Sequence, residues 1–402
     1  FIFAYIRLNT NKKKYNWTMQ KRNIDDFKAG KCVQRLEYKS FTPNKICLQW
    51  IINNPTILNL LSEADRYLGK LDAFSTLIPD VNYFIKMHIA KEANVSSKIE
   101  GTQTSFEEVL IKIEAINPDK RDDWSEVQKY INAMNQAILE MKNLPISNRL
   151  IKQTHSVLLE GARGMDKKPG EYRKSQNWIG SSLKNAIFVP PIADELNDLM
   201  YDLELFINSE TIDLDIQIPH LIKIAIIHYQ FETIHPFLDG NGRIGRLLIT
   251  LYLIDKKILQ NPTLYLSDYF ERNRADYYEN LTMVREKNEL SKWIIFFLQG
   301  VIETAQKSIT TFQEIIKLRN ETESNKLIKL GRKQAIAKKL IHVLYSSPIL
   351  DGVAITKALQ VHASTANSII KDLKNLGILN ELTGYKRNRI YIFEKYVKIF
   401  LK

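Results

Sequence analysis

Two neighbouring stretches constrain this chain more than any other feature. "IPHLIKIAIIHYQF" (218–231) and "GRIGRLLITLYLIDKK" (242–257) are apolar on nearly every side of a helix. Helices of that kind cannot face water and become the buried centre of a bundle. Neither is a membrane span, because polar and charged residues break each apolar run well short of the roughly 18 residues a bilayer needs. Around them "LSEADRYLGKLDAF", "DDWSEVQKYINAMNQAILEMKN", "ADELNDLMYDLELFINS" and "WIIFFLQGVIETAQKSITTFQEIIKL" repeat apolar residues at helical spacing, with Asp or Ser near their starts. The expected fold class is mainly α. "PGEYRKSQNWIGSSLKNAIFVPP" (169–191) differs: aromatic and β-branched residues flank a Gly-Ser-Ser turn, which predicts a β-hairpin flap protruding from the helices.

The loop joining the two apolar helices reads "HPFLDGNGRIGR" (235–246) and contains a literal Gly-x-Gly-x-x-Gly. A dinucleotide-binding reading of that string fails. It needs a strand before the glycines and an acid ending a second strand about 20 residues on, whereas a helical segment precedes and Pro236-Phe237 interrupts the approach. The residues suggest another device. Gly240-Asn241-Gly242, just ahead of a helix, presents successive backbone N–H groups at the positive end of the helix dipole, a seat for anions. Arg243 in the first turn can fork onto phosphate oxygens, and Arg246 extends that grip on nearly the same face. Asp239 offers the hard oxygen that Mg²⁺ takes when it bridges phosphates. His235 suits a general base acting on a hydroxyl near neutral pH. Any one of these residues alone would read as packing or surface. Together in one turn they point to phosphoryl or nucleotidyl transfer.

The string His235-Pro-Phe-Leu-Asp239-Gly-Asn-Gly-Arg-Ile-Gly-Arg246 resembles the signature of the Fic family (filamentation induced by cAMP), His-x-Phe-x-Asp/Glu-Gly-Asn-Gly-Arg-x-x-Arg, at every position. "YKSFTP", "PGEYR", "FVPP" and "HYQFETIHPFLDGNGR" extend the likeness over about residues 30–300. The resemblance implies a helical core and transfer of AMP from ATP to a Ser, Thr or Tyr hydroxyl of a protein. It implies that His235 is the base and Asp239 the Mg²⁺ ligand. Gly240, Asn241 and Gly242 would hold the α- and β-phosphates with Arg243, Arg246 would hold the γ-phosphate, and Phe237 would be an inward anchor. The flap 169–191 would bind the target by adding a strand along its backbone. Tyr277 and Tyr278 match a region that contacts the adenine in relatives. "SSKIEG" resembles the family's inhibitory helix, Ser/Thr-x-x-x-Glu-Gly/Asn. Ser96 and Glu100 share a helix face, Gly101 follows, and Glu100 would pair with Arg246 where the γ-phosphate belongs. His155, His220 and His228 read as structural histidines.

The tail has its own grammar. "KLIHVLYSSP" is a helix ended by Pro348. "GVAITKALQV" and "STANSIIKDLKNLG" are two short helices, the second starting at a Ser/Thr cap and stopping at Gly377, and "ILNEL" and "RIYIF" are strands around 383–388. That order is the winged helix-turn-helix pattern. Residues 325–402 hold 15 Lys and Arg against 4 Asp and Glu, nearly all of the chain's net +12. Duplex DNA along 353–393 is therefore an expected partner. The expected organisation is a tail or mis-assigned start over 1–18, with Met19 as the beginning, and an N-terminal helical domain over 19–115 carrying the inhibitory motif. A catalytic core over 116–300, a linking helix over 301–330 and a winged-helix domain over 331–402 follow. Cys32 and Cys47 make no disulfide framework and no metal-pair spacing, so a reducing cytoplasm is the expected location, with no membrane partner. The expected function is self-inhibited protein adenylyltransferase, with ATP as substrate and Mg²⁺ as cofactor; a homodimer is left open. Three alternatives stand beside it: transfer of another phosphate-linked group, removal of AMP by the same site, and an ATP-sensing DNA-binding regulator.

Overall fold

A computed structural model describes residues 21–77, 81–161, 165–210, 217–384 and 388–402. The expected start over 1–18 and Met19 lie outside the described residues. The described residues open with four short strands. β1 (Lys21–Asn23) runs parallel to β4 (Gln49–Ile51), and β2 (Gly30–Gln34) runs antiparallel to β3 (Lys39–Pro43), Cys32 facing Phe41. Helices follow: α1 (Pro55–Leu77), α2 (Val81–Ile99), the single turn α3 (Phe106–Val109), α4 (Arg121–Glu140) and α5 (Asn148–Leu158). The starts of α3 and α5 are fixed chemically. Ser105 and Glu108 form a reciprocal capping box, and Ser147 accepts from the Leu150 N–H.

The flap is a hairpin of β5 (Ile179–Gly180) and β6 (Ala186–Phe188), antiparallel and bulged. Next come α6 (Leu196–Ile207) and the two apolar helices, α7 (His220–Ile234) and α8 (Asn241–Asp255). Every residue of α7 from Leu221 to Ile234 is buried, as its all-round apolar pattern requires. The helices α9 (Ser267–Arg272), α10 (Arg274–Lys287) and α11 (Leu290–Asn320) complete the body; α11 runs unbroken for 31 residues through position 300. It packs along α1, and its Trp293 donates from Nε1 to the Ala225 carbonyl of α7 (2.8 Å). Among the described residues no helix is long and apolar enough to cross a membrane.

After a π-helical segment (Glu321–Lys326), the C-terminal part builds α12 (Gln334–Ser346), β7 (Ile349–Asp351), α13 (Gly352–Leu359), α14 (Ala363–Asn375), β8 (Asn380–Glu381), β9 (Ile390–Ile392) and α15 (Glu394–Leu401). The sheet order is β7-β9-β8, all antiparallel, with Ile392 facing both Ile349 and Asn380. β7 is a strand that sequence pattern did not suggest. Gly377 does end the second short helix in the left-handed region (φ 61°), but that helix begins at Ala363 without a side-chain cap. Residues 385–387 at the hairpin tip lie outside the described residues. Aromatic rings tie this part to α2: Phe84 on Tyr345 at 5.3 Å and on Tyr396 at 6.2 Å, and His88 on Phe400 at 5.1 Å. Ion pairs Lys402–Glu314 (2.7 Å), Lys338–Glu323 (3.2 Å) and Lys395–Glu321 (3.7 Å) use part of the tail's basic surplus on the acidic end of α11 and the segment after it.

Candidate active site

α7 ends where His235 turns left-handed (φ 49°, ψ 60°) while its N–H still donates to Phe231. The ring's Nδ1 lies 3.3 Å from the Glu232 carbonyl. A carbonyl only accepts, so Nδ1 carries the hydrogen and Nε2 keeps its lone pair. Burial pushes the imidazole down to about 4, which keeps it neutral near pH 7.

The loop after His235 is held by side chains folded back on its backbone. Asn241 Oδ1 accepts from the Phe237 N–H and its Nδ2 donates to the Phe237 carbonyl, both at 2.9 Å. The Asn241 side-chain amide is thus spent on loop closure, leaving its backbone N–H open. Phe237 is fully buried and stacks on His155 at 3.7 Å, nearly parallel. His155 accepts at Nδ1 from the Gly170 N–H (2.9 Å) and donates from Nε2 to the Asp239 carbonyl (3.0 Å). Gly240, at φ 76°, starts α8 with no side-chain cap, so the first amides of the helix remain open. Asp239 takes the Gly240 N–H at 2.6 Å and Arg243 at 3.5 Å, its side chain half-exposed.

The two arginines are buried. Arg243 reaches Glu126 of α4 at 3.3 Å, a partner sequence reasoning missed. Arg246 donates from Nε to Ser96 Oγ (2.9 Å), and from Nη2 to the Ser96 carbonyl (2.9 Å) and to Glu100 Oε1 (2.6 Å). The expected long-range neighbours, some 150 residues apart in sequence, are in contact. Burial works to raise the Glu100 carboxyl, but Arg246, helped by Arg243, holds it below the usual carboxylate range. Gly242 makes room for this pair, since a Cβ there would lie 2.3 Å from Glu100 Oε1 and 2.9 Å from Arg246 Nη1. Gly101, two residues past the end of α2, has φ 109°, a conformation that suits glycine.

Other residues fall differently from the sequence pattern. Tyr277 is a core residue: its hydroxyl donates to His228 Nε2 (2.9 Å), whose Nδ1 donates to the Gly245 carbonyl, and its ring stacks on Phe270. Tyr278 lies at the surface, 41% exposed, and is the one of the two that a ligand can reach. Arg173 is a clamp that composition could not reveal. It is almost fully buried, and donates to the carbonyls of His235 (3.0 Å), Ser175 (3.3 Å) and Pro191 (2.5 Å), joining the flap base to the loop. Asn177 adds bonds to the His235 and Phe237 carbonyls. Glu232 is buried with Oε1 unpartnered, against Gly245, whose missing Cβ would lie 2.2 Å away; burial pushes its carboxyl up to about 7.

The chain is similar to known proteins over the same region. The Fic/DOC family N-terminal pattern matches residues 58–139, and the Fic/DOC family pattern matches 145–253. A relative from Aedes aegypti named protein adenylyltransferase Fic is 29% identical over 269 residues, 62% of this chain. A probable protein adenylyltransferase from Aquifex aeolicus is 26% identical over 238 residues, 57% of this chain. This chain spans about half (49%) of the first relative's length and 68% of the second's. Among solved structures, a Fic family protein from Desulfovibrio desulfuricans G20 superposes with a TM-score of 0.55 at 20% identity, covering 85% of this chain and 96% of that one. A Fic domain containing signalling protein from Bacteroides thetaiotaomicron gives 0.51 at 20%, covering 65% and 97%. These likenesses speak to the fold alone. Residues 58–139 and 145–253, which hold every residue of the site from Ser96 to Arg246, carry the two Fic/DOC family domains.

Proposed function

We propose that this chain transfers AMP from ATP to a Ser, Thr or Tyr hydroxyl of a protein, and that Glu100 holds the activity back. The observation that carries the reading is one constellation: the Glu100–Arg246 pair at 2.6 Å beside the open amides of α8 and a neutral His235. In this reading the phosphates sit on the first amides of α8, with Arg243 on the α- and β-phosphates. Arg246 lets go of Glu100 and takes the γ-phosphate. The target hydroxyl gives its proton to His235 Nε2. Its oxygen bonds to the α-phosphorus, and the bond from that phosphorus to pyrophosphate breaks.

Mg²⁺ fits the residues present. Among the described residues no group of three His, Cys, Asp or Glu converges on one point, and Asp239 offers a half-exposed carboxylate beside the amides. One protein carboxylate plus substrate phosphates suits that ion. Bound there, it would neutralise charge building on the pyrophosphate.

Target docking falls to the flap, whose Ile187 (76%), Trp178 (43%) and Ile179 (38%) are exposed, apolar and at a short strand edge. Tyr278 is the proposed adenine contact. Duplex DNA stays a proposed partner of 353–393, through the exposed Lys357 and Lys371.

The test is incubation with Mg²⁺ and ATP radiolabelled on the α-phosphorus, with and without cell lysate. Labelled protein that requires His235 supports the proposal. Label arriving from the γ-position instead would make the chain a phosphate donor, and no label from wild type or a Glu100 variant would overturn the reading.

A further inference from the structure

Upstream of Ser96 on the same helix, α2 borders a cavity of about 40 Å³, lined also by α11, by Tyr265 and Asp268, and by Phe400 of α15. His88, Glu92, Tyr265 and Thr304 line it, each more than nine-tenths buried. Each holds a polar atom with no protein partner: His88 Nε2, Glu92 Oε2, Tyr265 Oη and Thr304 Oγ1. Buried polar groups are nearly always paired. Four orphans around one partly open space mark a place built for an occupant, and the volume accepts about three waters or one ligand of three to four heavy atoms.

The charge pattern selects between these. Lys91 and Lys307 line the cavity and share one carboxylate, Asp268, at 4.0 and 2.9 Å. Arg272 uses the same carboxylate at 3.2 Å and has Glu303 as well. One carboxylate for two lysines leaves positive charge over. The hydroxyls of Tyr265, Thr304 and Ser308 can all donate. Glu92 supports the same sign, because burial pushes its carboxyl up to about 7, so its Oε2 can carry a proton to donate.

We propose that this cavity binds a small anion of carboxylate size, and that the bound anion ties α2 to α11 and α15 and so strengthens the Glu100–Arg246 pair. One turn of α2 connects the two places: Glu92, whose Oε1 accepts from Tyr130 (3.1 Å), lies four residues before Ser96, whose Oγ accepts from Arg246 (2.9 Å). The regulatory half of the proposal rests on the adenylyl-transfer reading; the binding half does not.

The test uses the full chain at pH 7, titrated with sodium acetate against sodium chloride at matched ionic strength. The readouts are thermal midpoint and saturation transfer to ¹³C-acetate. Acetate should raise the midpoint saturably where chloride does not. Thr304→Val, which removes an orphan hydroxyl at equal volume, and Lys307→Gln, at the partly exposed mouth, should each weaken acetate at least tenfold. At about ten times its Kd, acetate should slow self-labelling of the wild type by up to about tenfold and leave Glu100→Gly unchanged. Acetate and chloride acting alike, or both variants responding as wild type, would overturn the site and leave a hydrated cavity. Variant-sensitive binding that slows Glu100→Gly as much as wild type would overturn the coupling. Absence of labelling from every form would sink the adenylyl-transfer reading while the binding data still decide the site.

Discussion

Glu100→Gly should raise self-labelling by one to one and a half orders of magnitude. Glu100 lies just past the end of α2, so glycine there removes a carboxylate without breaking a helix. What is lost is one charge-assisted bond, Arg246 Nη2 to Glu100 Oε1 at 2.6 Å. Such bonds contribute about 1.5–3 kcal/mol, and the 35% exposure of the Glu100 side chain places this one at the lower end, where water competes. About 1.5–2 kcal/mol corresponds to roughly 10- to 30-fold in the productive population. Arg246 stays in place because Ser96 still accepts two of its N–H groups. The assay is the initial rate of label transfer from ATP carrying radioactive α-phosphorus, at saturating ATP. Two controls make the reasoning refutable: Glu100→Gly with Arg246→Ala should lose the gain, and Arg246→Ala alone should stay inactive. If Glu100→Gly labels no faster than wild type, or the double variant keeps the gain, competition for one guanidinium is not how this chain is restrained. Slower labelling of the single variant would point to Glu100 serving AMP removal.

His235→Ala should abolish labelling while nucleotide binding, followed by fluorescence of a labelled ATP analogue, stays nearly intact; lost affinity would mean that His235 holds phosphate. Tyr277→Phe should lower stability to urea by about 1–2 kcal/mol, because His228 Nε2 loses its partner in the core, with little change in KM for ATP; a large KM change would place Tyr277 on the nucleotide. Stability should fall as pH drops from 6.5 to 5. His88 and His228 are pushed down to about 3 and His155 and His235 to about 4, so below about 6.5 the unfolded chain binds protons that the fold refuses. Glu92 and Glu232, pushed up to about 7, hold protons in the fold and oppose this, four groups against two; a urea midpoint that rises on acidification would contradict the balance. Charge reversal of Lys357 and Lys371 should weaken duplex-DNA binding and flatten its salt slope, and a wild type that binds no DNA at low salt would leave the tail as a protein-docking part.

Much of the loop 235–246 was legible because its information is local. All-round apolar segments announce buried helices, and glycines before a helix announce open amides. The contact between "SSKIEG" and Arg246 was legible only through family resemblance, since no periodicity couples residues 150 positions apart. The rest depends on tertiary packing. Tyr277 reads the same in sequence whether its hydroxyl meets adenine or His228. Arg173 looks like one more surface cation until the carbonyls of the flap base and the His235 turn close around it. The side chain of Asn241 would serve a phosphate as well as it serves Phe237. β7 is three residues after Pro348, too short to show alternation, and exists because β9 pairs with it. The basic surplus of the tail suggested nucleic acid before the acids at 314, 321 and 323 were seen to take part of it.

The long helix α11 gives the molecule a beam about 46 Å long. At one end Trp293 grips the helix that terminates in His235; farther along, Thr304 and Phe312 meet the underside of α2; near its far end Glu314 holds the last residue of the tail. There is no slack chain between these stations to absorb a displacement. Whatever takes hold of the tail therefore loads the same skeleton that sets the height of α2 over Arg246, and restraint of the proposed transfer becomes a question of mechanics as much as of charge.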